Sequence, residues 1–227
     1  MPSSRASAIP TIVQLVVQLQ PDSILDVGVG FGKWGHLFRE YTDVCQSSLD
    51  PPRYQRPNWK VRIDGIEGHK PYLTPMHDFL YDHIYQGNAA QILPTLPKYD
   101  LIFLGDVIEH FDKPTGLALL REAIGKSNKA VIVSTPKYET DQGACCDNEL
   151  ERHRSLWGAG DFQSLADTVV RTIDGDLLLA VIFKPGLSGE IHTRIRRSGA
   201  LGVSVRERMR RIIRMGGIRK LFKGKRG

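Results

Sequence analysis

Long apolar runs are absent from the 227-residue sequence. It contains no stretch of about 18 consecutive apolar residues, which is the length that a membrane-crossing helix requires. The first ten residues, MPSSRASAIP, also lack the apolar segment of a secretory signal. We therefore expect the protein to be cytoplasmic.

Cysteine is scarce, because Cys45, Cys145 and Cys146 are the only three in the chain. Two adjacent cysteines are poorly placed for a disulfide, so the pattern fits a reducing compartment. Together with His153 the adjacent pair could supply metal ligands, but the paired C-x-x-C spacing of structural metal sites is missing. We expect no bound metal.

The net charge of +6 is distributed unevenly. Residues 186–227 contain 13 Lys and Arg against 2 Asp and Glu, a local balance of +11 that leaves −5 for the remainder. A mildly acidic body with a strongly basic end predicts one catalytic or binding domain over 1–185, followed by an interaction segment over 186–227.

Strand and helix signals alternate along the body, as in a mostly parallel sheet covered by helices. The patterns predict helices over 9–19, 34–41, 74–81, 114–126 and 162–167, and strands over 23–27, 61–67, 83–86, 100–104, 129–134, 169–173 and 177–183. Asp174-Gly175 predicts a hairpin between the last two strands. The fold class is therefore Rossmann-like α/β with a terminal antiparallel hairpin, and the polar stretch 137–160 is a candidate active-site loop.

A glycine-rich turn, DVGVGFG over 26–32, follows the first predicted strand and precedes a helix. Gly28, Gly30 and Gly32 let the backbone turn tightly and let a ligand approach the N–H groups of the helix start. Asp26 can anchor this loop or receive a cationic ligand, whereas it would repel a pyrophosphate. The spacing G-x-G-x-x-G from Gly30 also matches the dinucleotide fingerprint, although it begins late relative to the strand.

Polar residues follow the next strands as well. Glu67 ends the second strand, where a carboxylate can accept hydrogen bonds from ribose hydroxyls, and Asn88 with Ala89 follows the third, where an amide can meet an adenine edge. A solvated carboxylate and a simple turn are the structural alternatives for these positions.

Asp106 and His110 lie in the run GDVIEHF just beyond the fourth strand, and ligands in open α/β sheets bind at the carboxyl ends of strands. Both are therefore candidate catalytic residues, with His110 as the candidate base. A residue that begins a helix and bonds to backbone is the alternative for His110.

Several runs together resemble bacterial class I S-adenosylmethionine-dependent methyltransferases of the surface-polysaccharide and secondary-metabolite type. They are ILDVGVGFGKWGHLFREY, IDGIEGHKPYLTP, YDLIFLGDVIEHFDKPTGLALLREAI, KAVIVSTP and ERHRSLWGAGDF, between residue 23 and about 184. The resemblance implies a seven-stranded sheet, methionine-end contacts at Asp26, Gly28 and Gly30, a ribose contact at Glu67, adenine contacts at Asn88 and Ala89, and Asp106 close to the sulfonium. Asn88 stands where the family more often has Asp. The late hairpin also favours this family over a dehydrogenase.

The resemblance places the segment 153–157 over the cofactor pocket, so His153 and Trp157 are candidate substrate contacts. Lys33 and Tyr138 are further candidates. Core packing is the alternative for Trp157. The implied acceptor is a small molecule or a lipid-linked glycan. An NAD(P)-dependent reductase and a non-catalytic adaptor that binds through its basic end are the alternative functions.

The basic end predicts an amphipathic segment over 203–226. Val205, Met209, Ile212 and Ile213 recur at helical spacing, with four arginines between them. Such a segment favours the anionic inner face of a membrane, where a lipid-linked acceptor would lie. A solvated basic tail is the alternative, and nucleic acid is a weaker one because few aromatic residues are present to stack on bases.

We expect the full chain to co-sediment with anionic liposomes at moderate salt, and a chain ending at Pro185 to stay in the supernatant. Each basic residue near an acidic leaflet contributes up to ~1 kcal/mol, so removing the 13 of them should abolish the association. Neutral liposomes are the control. Equal pelleting of both chains would contradict the role of the tail.

Overall fold

The structure, a computed structural model, describes residues 4–45, 54–139, 141–145, 147–187 and 189. Its helices are α1 (Ile9–Leu19), α2 (Lys33–Thr42), α3 (Pro75–Leu80), α4 (Ala89–Ile92), α5 (Lys113–Lys126) and α6 (Ala159–Gln163). Its strands are β1 (Ser23–Val27), β2 (Arg62–Glu67), β3 (His83–Gln86), β4 (Tyr99–Gly105), β5 (Ser127–Pro136), β6 (Thr168–Ile173) and β7 (Leu177–Phe183).

All seven strands form one sheet in the order β3-β2-β1-β4-β5-β7-β6. The first five strands are parallel, and β7 runs antiparallel to both β5 and β6. Asp174 and Gly175 have φ values of 48° and 87° in the β6–β7 turn, the left-handed conformation that tight hairpins require. The predicted Rossmann-like sheet with a terminal antiparallel hairpin is confirmed.

Helices cover both faces of this sheet because each central strand is apolar on both sides. On one face, Ile12 of α1, Phe38 of α2 and Leu80 of α3 join a core cluster with Phe103 of β4. On the other face, residues of α4, α5 and α6 pack against the alternate positions of the same strands. The carboxyl ends of β1 to β4 are thereby held at one edge of a rigid layer.

Two short helices differ from the sequence expectation. The helix α6 lies over Ala159–Gln163 rather than 162–167, because the Asp161 carboxylate accepts the Gly158 N–H at 2.7 Å and begins the helix early. The helix α4 has no periodic signal. It forms because the Asn88 side chain caps it, accepting the Ala90 N–H at 2.9 Å.

A buried hydrogen bond supports the turn that follows β1. Asp26 is fully buried, and its Oδ2 accepts the Tyr81 hydroxyl at 2.6 Å. The Tyr81 hydroxyl in turn accepts the Gly35 N–H at 3.1 Å, which links β1, α2 and the end of α3. Burial is the main cause that raises the pKa of Asp26 from its ordinary 3.8 to about 7, and the negative charge of Glu67 adds to it.

No helix among the described residues is long and apolar enough to cross a membrane. The predicted domain boundary at 185 falls near the end of the described chain, and the predicted membrane-binding segment 203–226 lies outside the described residues. The same is true of Cys146.

The free energy of unfolding should fall between about pH 4 and pH 7 because of Asp26. Its pKa is higher in the folded state, so the stabilisation is complete below pH 4 and is lost as the pH rises through about 7, with a slope of up to ~1.4 kcal/mol per pH unit. Asp26→Asn should remove this component. Urea denaturation of both proteins across this range measures it.

Asp78→Asn is the matched control for this experiment, because it makes the same substitution on an exposed side chain of α3. The free energy of unfolding of this variant should change with pH in the same way as that of the wild type. If the free energy of unfolding of Asp26→Asn also changes with pH as that of the wild type does, the buried carboxyl does not titrate in this range.

Candidate active site

A cavity of about 280 Å³ opens at the carboxyl edge of the sheet. It is lined by the loops that follow β1, β2, β3 and β4, by the N-terminal residues Ser4 and Arg5, and by part of the 137–160 stretch. This is the edge at which open α/β sheets bind ligands. Of the predicted site residues, the cavity lining includes Gly28, Gly30, Lys33, Glu67, Asn88, Ala89, Asp106, His110 and His153.

The glycine loop keeps its shape through left-handed backbone at Gly28, Gly30 and Gly32, with φ values of 76°, 53° and 79°. A Cβ on Gly28 would lie 2.5 Å from Val107 Cγ2, so that position admits no side chain in this arrangement. Gly28 and Gly30 line the cavity, whereas Gly32 is the N-cap of α2 and belongs to the shape of the turn.

The loop is fixed from outside the cavity by a histidine that the sequence patterns did not single out. His77 Nδ1 accepts the Thr74 N–H at 3.0 Å, which leaves Nε2–H to donate to the Gly30 carbonyl at 3.0 Å. His77 is only 1% exposed, so this bond is protected from water. The loop therefore has little freedom to move when a ligand enters.

Asp26 lies beneath this loop and is not among the residues that line the cavity. Its Oδ1 is buried and has no hydrogen-bond partner among the described residues. In this structure Asp26 thus anchors the loop, the first of the two roles expected for it. Its direct contact with a ligand stays a prediction.

Glu67 joins the glycine loop to the end of β2. Its two carboxylate oxygens accept the backbone N–H groups of Gly30 at 2.9 Å and of His69 at 2.7 Å. Burial raises the pKa of Glu67, while these two hydrogen bonds oppose the rise. The carboxylate is therefore not the solvated loop residue of the alternative interpretation, and its predicted contact with ribose hydroxyls stays a prediction.

Asn88 and Ala89 line the cavity next to Glu67. The side-chain oxygen of Asn88 caps α4, so the side-chain NH₂ group is the part that remains for a ligand. Their predicted contacts with adenine stay predictions.

Asp106 lines the cavity in a strained backbone conformation. Its φ of 54° is unusual for a residue with a side chain. The strain is held by the Asp106 N–H, which donates to the Ser134 carbonyl at 2.9 Å, while the Asp106 Oδ1 accepts the Ser134 hydroxyl at 3.3 Å. Burial raises the pKa of Asp106, and hydrogen bonds from Ser4 and Ser134 oppose the rise.

Lys33 also lines the cavity and donates a hydrogen bond to the Ser4 carbonyl. Burial lowers the pKa of the Lys33 ammonium, and the negative charge of Asp106 partly restores it. Ser4 also accepts a hydrogen bond from Trp34 Nε1 at 3.0 Å, so this N-terminal segment is held over the cavity.

Glu109, His110 and His153 form a cluster at the far end of the cavity. One potential ligand atom from each of the three lies within 4.8 Å of the others, which is close enough to consider a metal ion. The two imidazole rings are 5.1 Å apart between centroids. Burial lowers the pKa of His110, and burial raises the pKa of Glu109 well above its usual range. Sequence analysis predicted no metal site here.

The two remaining substrate candidates lie away from this cavity. Tyr138 is 58% exposed and does not line the cavity. Trp157 is 1% exposed and packs in the core, with Lys113 Nζ 3.9 Å above its ring and Phe162 beside it. These contacts are those of the core-packing alternative for Trp157.

Several lining residues were not identified from the sequence, among them Ser4, Phe31, Tyr72, Glu109 and Glu151. Glu109 and Glu151 lie next to recognised histidine positions, so the patterns E-H and E-x-H were the available signals. Ser4 and Tyr72 carry no local pattern, because only the tertiary fold brings them to the cavity.

Comparison of the sequence with known proteins identifies a methyltransferase relative. No protein-family model matches the chain. A small RNA 2'-O-methyltransferase from Xenopus tropicalis is 25% identical over 171 residues, which are 73% of this chain and 46% of the relative. The chain thus spans about half the length of that protein.

Three solved structures have a similar fold. The N-terminal domain of EvdMO1, solved with SAH and D-fucose, has a TM-score of 0.54 at 14% identity, over 80% of this chain and 84% of that one. A SAM-dependent methyltransferase from Archaeoglobus fulgidus has a TM-score of 0.51 at 12% identity, over 71% and 86%. An O-methyltransferase family protein from Burkholderia thailandensis has a TM-score of 0.52 at 14% identity, over 78% and 55%. The chain therefore has the fold of S-adenosylmethionine-dependent methyltransferases.

Proposed function

We propose that the chain is an S-adenosylmethionine-dependent methyltransferase that methylates a sugar hydroxyl. The observation that carries the proposal is that three successive strand ends line one cavity: the left-handed glycine loop after β1, Glu67 at the end of β2 and Asn88 after β3. A nucleoside laid along this edge would meet backbone N–H groups, then a carboxylate for ribose, then an amide for adenine.

The charge of the cavity favours a cationic donor over NAD(P). Against two basic side chains, Arg5 and Lys33, the described lining residues include four carboxylates, those of Glu67, Asp106, Glu109 and Glu151. These would repel a pyrophosphate, whereas the sulfonium and ammonium groups of adenosylmethionine carry positive charge. The antiparallel β7 also departs from the all-parallel order of dinucleotide-binding sheets.

The acceptor is proposed from the other end of the same cavity. Methyl transfer is an in-line displacement in which the acceptor oxygen lies opposite the sulfur and loses its proton. The Glu109–His110–His153 cluster lines the same cavity as Asp106, so it supplies groups that would assist the loss of that proton. One relative is a small RNA 2'-O-methyltransferase, and one structure of similar fold was solved in the presence of D-fucose. Both support a sugar hydroxyl as the acceptor, because ribose and glycans share this group.

The first test is calorimetry of the purified protein against adenosylmethionine, adenosylhomocysteine, NADH and NADPH. We expect binding of the first two only. In Glu67→Ala the dissociation constant for adenosylmethionine should rise roughly tenfold to a hundredfold, if charge-assisted hydrogen bonds worth ~1.5 to 3 kcal/mol are lost.

Glu122→Ala, a partly exposed position on α5, is the matched control and should bind as the wild type does. Thermal unfolding of each variant separates loss of binding from loss of fold. Tight NADPH binding without adenosylmethionine binding would favour a reductase, and binding of no nucleotide would favour an adaptor.

The second test identifies the acceptor with a methyl donor labelled at the methyl group. Sugar nucleotides, lipid-linked glycans and short RNAs are supplied in separate reactions, and the product is hydrolysed and analysed by mass spectrometry. We expect a methyl ether on a sugar hydroxyl. A methyl group on a nitrogen or on a base carbon would contradict the proposal.

A further inference from the structure

We propose that Glu109, His110 and His153 bind a divalent transition-metal ion at the acceptor end of the cavity. One potential ligand atom from each side chain lies within 4.8 Å of the other two. Nitrogen and oxygen ligands stand about 2.0 to 2.2 Å from such an ion, so two of them are separated by at most about 4.4 Å. Small side-chain rotations would close the difference. The catalytic use of the ion rests on the proposed function, whereas metal binding itself can be measured without it.

Backbone hydrogen bonds join the two segments that supply the ligands, the one with Glu109 and the one with His153. The backbone N–H groups of Arg154 and Ser155 donate to the Glu109 carbonyl at 2.8 and 3.1 Å. These bonds hold His153 beside a residue 44 positions earlier in the sequence. The site is therefore formed by backbone geometry and not by a chance approach of long side chains.

Supporting contacts orient two of the ligands. The Thr135 hydroxyl donates to Glu109 Oε2 at 3.1 Å. His110 Nδ1 lies 3.3 Å from the Arg152 carbonyl, which can only accept, so this nitrogen carries the proton and Nε2 has the lone pair that a metal ion needs. Hydrogen bonds of this kind hold metal-binding imidazoles in position in metalloproteins.

The electrostatics of the cluster favour a cation. Glu109 is 3% exposed, and among the described residues no Lys or Arg forms a salt bridge with it. The charges of Asp106 and Glu151 add to burial in raising the pKa of Glu109. A divalent ion would relieve the repulsion among these three carboxylates, which is the effect that bound cations have on acidic sites.

The ligand types select the class of ion. Mg²⁺ and Ca²⁺ prefer sites made wholly of oxygen, whereas two imidazoles with one carboxylate suit Mn²⁺, Co²⁺ or Zn²⁺. Three protein ligands leave coordination positions open toward the cavity. An acceptor hydroxyl bound there would lose its proton more readily to solvent. The hydroxyl oxygen would then form the bond to the methyl carbon while the sulfur–carbon bond breaks, and the electron pair of that bond would stay on sulfur, which leaves adenosylhomocysteine.

The test measures Mn²⁺ binding to the full chain after removal of metal with a chelator, by electron paramagnetic resonance of the free ion. We expect one ion per chain, and a dissociation constant at least tenfold higher in both Glu109→Gln and His153→Gln. Co²⁺ should give the visible absorption of a nitrogen-containing site. His36→Gln, an exposed position on α2, is the matched control and should bind Mn²⁺ as the wild type does.

Adenosylmethionine calorimetry on the same proteins separates the two proposals. Retained nucleotide binding with no Mn²⁺ binding, or with equal Mn²⁺ binding in the wild type and both variants, would overturn the metal site alone. Mn²⁺ binding that both variants lose, in a protein that binds no adenosylmethionine, would leave the metal site standing and overturn the proposed function.

Discussion

The hydrogen bond between Tyr81 and Asp26 supports the glycine loop, at the end of the cavity where we propose that the methyl donor binds. We call this part of the cavity the donor end. The hydrogen bond brings the end of α3 against the end of β1, and the Gly35 N–H completes it from α2. A Cβ at Gly35 would lie 2.2 Å from the Tyr81 ring. The third glycine of the apparent dinucleotide fingerprint, Gly35, is therefore required for the close approach of a tyrosine ring.

Above this buried layer, the glycine loop is bonded to two elements, β2 and α3. The Gly28 N–H donates to the Ile66 carbonyl at 2.8 Å, the Gly30 N–H to Glu67, and the Gly30 carbonyl accepts from His77. The loop backbone is thus arranged before any ligand arrives, so binding need not order it. The same preorganisation means that Glu67 serves the loop as well as a ligand, and the two effects of its removal must be separated by measuring stability and binding together.

Sequence periodicity was sufficient for the sheet because its central strands are buried on both faces and read as continuous apolar runs. β1, β3 and β7 have the predicted bounds, and the Asp174-Gly175 signal located the hairpin. Glycine spacing and strand ends likewise located the donor end of the cavity. Both signals are local, so they can be read from neighbouring residues without knowledge of the fold.

The acceptor end depends on contacts between distant residues, which explains why sequence patterns described it less well. Trp157 belongs to the core because Gly116 leaves room for its ring; a Cβ at Gly116 would lie 2.6 Å from it. Neither residue predicts the other. In the same way, His110 and His153 were each recognised as candidates, but their pairing depends on the backbone bonds from 154 and 155 to Glu109.

Asp106 connects the two ends. Its left-handed backbone is held through Ser134 of β5, which orients the carboxylate toward Ser4 and Lys33, while the chain beyond it continues directly into Glu109 and His110. Any shift of the residue toward a relaxed conformation would rotate the segment that carries the cluster. The left-handed backbone at this position therefore links the proposed donor and acceptor positions within one short segment of chain.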